Sequence, residues 1–137
     1  MGILIDTSVL IADERGRLDL DSWLAVRQDE TFAISAITLS ELWAGVHRAA
    51  KGPRRTAREG YVLGVREDYP VLPFDAAVAE VHAMLVADLA RRGSLIGAHD
   101  LIIAATAVAG SLAVATLNLK EFRRVKGLEV VALQRQG

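Results

Sequence analysis

The chain has 137 residues, 52% of them hydrophobic, a net charge of −1 and no cysteine. That length suits one domain with a sizeable core, and that composition excludes a disordered chain. The absence of cysteine removes disulfides and thiolate metal sites and fits a reducing compartment. A nearly neutral chain must draw any affinity for nucleic acid from local patches.

Ile3-Leu4-Ile5 is a short apolar run ending at Asp6, the pattern of a central strand. Asp6-Thr7-Ser8 offers caps for a short helix, and Asp21-Ser22 for a second through Trp23, Leu24 and Val26. Thr31 to Ser35 reads as a second strand. Thr38 then opens a helix to about Ala50, with Leu39, Leu42, Trp43 and Val46 at helical spacing. Lys51-Gly52-Pro53 breaks it, and an amphipathic helix follows from about Arg55 to Glu67. Val71-Leu72 before Pro73 is a third strand, at an edge or a strand end. Asp75 caps a long helix through Val78, Val81, Leu85 and Leu89, closed by Gly93.

A helix from about His99 to Ala109 is apolar nearly all round and should be buried. Leu112 to Ala115 is a fourth strand, Asn118 to Val125 a short helix and Glu129 to Leu133 a fifth strand. The apolar stretch Leu101 to Leu117 is interrupted by Gly110-Ser111 and falls short of the roughly 20 residues a membrane span needs. The start, MGILIDTSV, lacks the basic segment and long apolar run of a signal peptide, so a cytoplasmic protein is expected. Short apolar strands alternating with helices predict a three-layer α/β fold: a central, mainly parallel five-stranded sheet flanked by helices, as one domain over residues 1–137.

Ligands of such sheets bind beyond the carboxyl ends of the strands. Asp6 ends the first strand, and Thr116 and Asn118 follow the fourth. With Asp6, three further acids border apolar segments: Glu41, Asp100 and Glu121. Each has a plain alternative. Asp6 is placed as a helix cap, and Thr38-Leu39-Ser40-Glu41 matches a capping box. Asp100 suits a helix N-terminus, Glu121 an exposed helix face. Against that, Asp100 opens a helix whose next nine residues contain one polar side chain, and an unpaired buried carboxylate is costly. Converging carboxylates repel one another and lose hydration, which a hard divalent cation offsets. His47, His82 and His99 form no spaced cluster, so a metal site would be built mainly from oxygen. His99 reads as a cap or a solvent-facing residue. Three basic clusters stand out: Arg48 to Arg58 with Lys51, Arg54 and Arg55; Arg91-Arg92; and Lys120, Arg123, Arg124 and Lys126. Each is either a solvated face or a phosphate contact.

The ordered set Ile5-Asp6-Thr7-Ser8-Val9-Leu10-Ile11, Ser40-Glu41-Leu42 following Ser35, Gly93 to Ala105 around Asp100, and Thr116-Leu117-Asn118-Leu119-Lys120-Glu121-Phe122 resembles the PIN domain, more narrowly the VapC-type toxins. The resemblance implies a PIN fold and an Mg²⁺- or Mn²⁺-dependent endoribonuclease. Asp6, Glu41 and Asp100 would be the acids shared across the family, with Asp6 and Asp100 on the metal. Glu121 stands where the family often has Asp. Thr7, Thr116 and Asn118 would orient the ligands, and Arg54, Arg55, Arg91 and Arg92 would hold RNA phosphates. Homodimers, and inhibition by a small VapB-like antitoxin that covers the site, are implied as well. Metal-activated water would attack in line, leaving a 5′-phosphate and a 3′-hydroxyl. Two rivals carry other functions. A degenerate PIN domain would bind RNA or a partner without cutting. A receiver-type phosphoacceptor domain would need an acidic neighbour for Asp6 and a Lys after the last strand, where Gln134 and Arg135 stand.

Overall fold

A computed structural model describes residues 2–133. Gln134 and Arg135 lie outside the described residues.

Strand β1 (Gly2–Ile5) is the centre of the sheet. It pairs in parallel with β2 (Thr31–Ser35) on one side and β4 (Ala113–Thr116) on the other. The short β3 (Val71–Leu72) and β5 (Val130–Ala132) form the edges, giving the order β3-β2-β1-β4-β5, with all four pairings parallel. The placement of β3 before Pro73 agrees with the inability of proline to donate to a ladder. A receiver-type sheet runs 2-1-3-4-5, so this order removes that rival.

Successive residues of a strand point to opposite faces, and β1 and β4 have apolar side chains on both. Ile3, Ile5, Ala113 and Ala115 join one core cluster with α1 (Thr7–Glu14), α3 (Ala36–Arg48) and α4 (Pro53–Asp68). Leu4 and Val114 join the other with α5 (Ala76–Arg91), α6 (Ala98–Ala109) and α7 (Leu119–Phe122). These are the three expected layers. Among the described residues, no helix is long and apolar enough to cross a membrane.

Several boundaries differ from expectation, each for a local reason. Helix α2 (Leu20–Ala25) is capped by Asp19, whose carboxylate accepts from the Ser22 N–H, rather than by Asp21-Ser22. Helix α3 starts directly out of β2, capped by Ser35, whose hydroxyl accepts from the Ile37 N–H. Thr38 is therefore fully buried inside the helix, and the capping box with Glu41 does not form. Pro53 sits in the first turn of α4, where its missing N–H costs nothing. Helix α7 is a single turn ending at Phe122, shorter than the expected run to Val125. Asp75 caps α5 as expected, accepting from the Val78 N–H. Gly110-Ser111 ends α6, and Ser111 takes φ 53°, a left-handed turn that feeds the chain into β4.

Candidate active site

The central strands deliver two side chains to one place. Asp6 follows β1 and is 2% exposed; Thr116 ends β4 and is fully buried. The register of β1 against β4 is continued past β1 by the Asp6 N–H donating to the Ala115 carbonyl at 2.9 Å. The carboxylate Oδ2 of Asp6 accepts from Ser8 Oγ at 2.6 Å and from Thr116 Oγ1 at 2.8 Å. Both hydroxyls are themselves fixed. Ser8 Oγ accepts from the Leu117 N–H and Thr116 Oγ1 from the Asn118 N–H. The turn after β1 and the turn after β4 are thus locked together around one carboxylate oxygen. Burial pushes the Asp6 carboxyl up, opposed chiefly by the hydroxyls of Ser8 and Thr116.

Asp100 lies in the first turn of α6 and accepts from Asn118 Nδ2 at 2.9 Å. Its pKa is pushed up to about 7, first by burial, then by the charge of Asp6, a hydrogen bond with Glu121, and the charges of Glu121 and Glu41. Glu121 reaches the same spot from α7, accepting from the Gly97 N–H at 3.4 Å. A Cβ on Gly97 would stand 3.8 Å from Asp100 Oδ2 and 3.9 Å from Glu121 Oε2, so both acids face that residue.

Glu41 turns inward from α3. Its Oε1 accepts from Thr7 Oγ1 at 2.7 Å, and its Oε2 lies 3.2 Å from His99 Nδ1. Thr7 Oγ1 is also 2.9 Å from Thr38 Oγ1, so the buried Thr38 backs this contact.

Asp6, Glu41 and Glu121 thus lie near enough to Asp100 for their charges to raise its carboxyl, and Thr7, Thr116 and Asn118 each touch one of the four acids. The sequence reading passed over three residues. Ser8 read only as a cap, although it follows Asp6 at the spacing that lets its hydroxyl return to the carboxylate. Thr38 read as a cap and is instead the buried support of Thr7. His99 read as a bystander, although its position next to Asp100 was the available signal.

The donors are hard oxygens, the set that Mg²⁺ or Mn²⁺ takes. Repulsion on Asp100 is the cost that a divalent cation would relieve. Among the described residues, no three His, Asp or Glu side chains already close on one point. The carboxylates are engaged by hydroxyl, amide and histidine neighbours, so ion binding requires these side chains to rotate. In chemical terms the donor set fits the cation.

The basic residues divide. Arg54 is exposed at the start of α4, and Arg55 Nη2 lies 3.4 Å from His47 Nδ1. Arg91 is largely exposed, 3.9 Å from Asp88. Arg92 instead braces the fold, donating to Asp88 and to the Arg124 carbonyl, both at 2.7 Å. Glu41 also lines a groove with Arg15, Arg48 and Arg58, which brings cations to the edge of the acid cluster.

Comparison with known proteins agrees with this architecture. A PIN domain model matches residues 3–128. Ribonuclease VapC1 of Rickettsia felis is 37% identical over 133 residues, covering 97% of each chain. In structure, the chain is similar to VapBC2 from Rickettsia felis, bound to a DNA fragment from its promoter. The TM-score is 0.88 and the identity 25%, over 98% of this chain and 100% of that one. DNA-bound VapBC from Salmonella typhimurium gives a TM-score of 0.86 at 27% identity, over 96% and 98% of the two chains. This chain belongs to the PIN-domain family, among the VapC ribonucleases.

Proposed function

We propose that this protein is a divalent-metal-dependent endoribonuclease and the toxin of a toxin–antitoxin pair, working in the cytoplasm as one PIN domain over residues 1–137. The observation that carries this reading is the raised carboxyl of Asp100, pushed up first by burial and then by Asp6, Glu121 and Glu41, which other segments bring to it. Burial and three neighbouring acids make the charged form of Asp100 costly, and a bound cation is what offsets such a cost.

In this reading Asp6 and Asp100 hold the metal, Mg²⁺ or Mn²⁺. When bound, such an ion activates a water and stabilises charge on the scissile phosphodiester. Two hydroxyls fix Oδ2 of Asp6 and so orient the carboxylate that would hold the ion. Asn118 holds one oxygen of Asp100 and so aims the other. Glu41, steadied by Thr7, would hold the attacking water against the ion and so strengthen ion binding as well. Glu121 tops the site beside Asp100 and accepts from the Gly97 N–H. Thr116 fixes the angle of Asp6. Arg54, Arg55 and Arg91 bind flanking phosphates of the RNA, giving salt-dependent affinity. Arg92 does so only with the part of its guanidinium that its structural bonds leave exposed. A VapB-like antitoxin binds the toxin and covers the acids, and the toxin itself forms a homodimer.

The test is cleavage of total bacterial RNA by the purified chain, with Mg²⁺ or with EDTA, alongside Asp6→Ala and Asp100→Ala. Mapped new 5′-phosphate ends that need Mg²⁺ and vanish in both variants support the reading. Equal cleavage by all three proteins would place the activity in a contaminant. RNA retention without cleavage by the parent would make this a binding domain only.

A further inference from the structure

We propose that His99 is a positioning residue for Glu41, holding its carboxylate in the acid cluster through a hydrogen bond from Nδ1. This rests on the reading of the cluster as an RNA-cleaving centre. Each Glu41 oxygen has one polar side chain beside it. Thr7, at the start of α1, holds Oε1 at 2.7 Å, and His99, in the first turn of α6, stands 3.2 Å from Oε2. These two elements are the ones that carry Asp6 and Asp100 into the site. His99 therefore ties α3 to α6 across the mouth of the cluster.

The electrostatics make a second anchor necessary. Asp100 and Glu41 repel each other. Glu41 also lines a groove with Arg15, Arg48 and Arg58. Thr7 alone leaves the carboxylate free to pivot about Oε1 away from Asp100. A donor on Oε2 opposes that swing. An imidazole with its proton on Nδ1 supplies the donor without itself needing a charge, and this bond fixes which ring nitrogen bears the proton. The His99 side chain is 56% exposed, so it sits at the rim and can act without disturbing the core.

Asparagine places its amide nitrogen near the position of Nδ1, whereas glutamine places it near Nε2. The full chain is compared with His99→Asn, His99→Gln, His99→Phe and Asp6→Ala, using an RNA oligonucleotide that spans the mapped cleavage site. Mn²⁺ affinity is measured separately by calorimetry without RNA. His99→Gln and His99→Phe should lower kcat and Mn²⁺ affinity by about tenfold with KM and melting temperature at the parental level. His99→Asn should restore both kcat and Mn²⁺ affinity. Parental values in His99→Gln and His99→Phe would overturn the proposal. So would a loss in His99→Asn equal to that in His99→Phe, or a change confined to KM, which would make His99 an RNA contact. Asp6→Ala cleaving like the parent would instead sink the underlying nuclease reading. If His99→Phe fails to fold, the pair of amide variants decides.

Discussion

Replacing Asp100 by asparagine should stabilise the metal-free protein, although it destroys the proposed site. The ordinary value of an Asp carboxyl is 3.8, and in the folded chain Asp100 is pushed up to about 7. Between these values the folded protein keeps a proton that the unfolded chain has released. Stability therefore falls as pH rises through this window, and the loss is complete above it. Taken at face value the rise is worth about 4 kcal/mol. The side chain is only half-buried, so water and salt screen much of it, leaving about 1–2 kcal/mol. Asp100→Asn removes this cost and keeps the local bonds. The new amide oxygen still accepts from Asn118 Nδ2, and the amide nitrogen can donate to Glu121. Urea unfolding in EDTA should show the variant more stable by about 1–2 kcal/mol at pH near 8, with the gain vanishing near pH 4. Added Mg²⁺ should stabilise the parent and not the variant. A variant less stable at both pH values, or a gain of the same size at both, would refute the reasoning.

Other perturbations separate site from scaffold. Thr116→Val removes the buried donor to Asp6 and the part-buried acceptor for the Asn118 N–H. It should lower RNA cleavage by about 10–100-fold and stability by about 1–3 kcal/mol, read by cleavage kinetics and urea titration. Arg91→Ala and Arg92→Ala should diverge. The first leaves stability within about 0.5 kcal/mol but weakens RNA binding, most at low salt. The second costs about 1 kcal/mol, because it breaks the brace to Asp88 and the Arg124 carbonyl. Phe122→Ala empties a fully buried position where α7 packs under the site, and should cost about 3–5 kcal/mol in denaturant unfolding.

Periodicity and punctuation carried most of the fold. The five strands and the long helices are apolar runs bounded by Gly, Pro and capping residues, and they fall within a few residues of expectation. The start of α3 was hidden because β2 runs into the helix with no loop. Ser35 caps it, while Thr38 and Glu41 reproduce the letters of a capping box inside the helix. Asp6 and Asp100 stood out because a carboxylate beside a buried segment needs compensation. The partners of Glu41 did not, since Thr7 and His99 are 34 and 58 positions away and nothing local records that they meet it. Ser8 hid for a different reason. A serine two residues after an aspartate at a helix start is what capping alone produces, and only the second bond, from the Leu117 N–H, shows its role in joining the two turns.

The central claim is that acids from distant segments share one ion. Crystals soaked in Mn²⁺, with diffraction recorded at the manganese absorption edge, test it without reference to RNA. An anomalous peak held jointly by Asp6 and Asp100, and lost in Asp6→Ala, is the predicted result. Clear, ordered side chains for Asp6 and Asp100 with no peak between them in Mn²⁺-saturated crystals would contradict it.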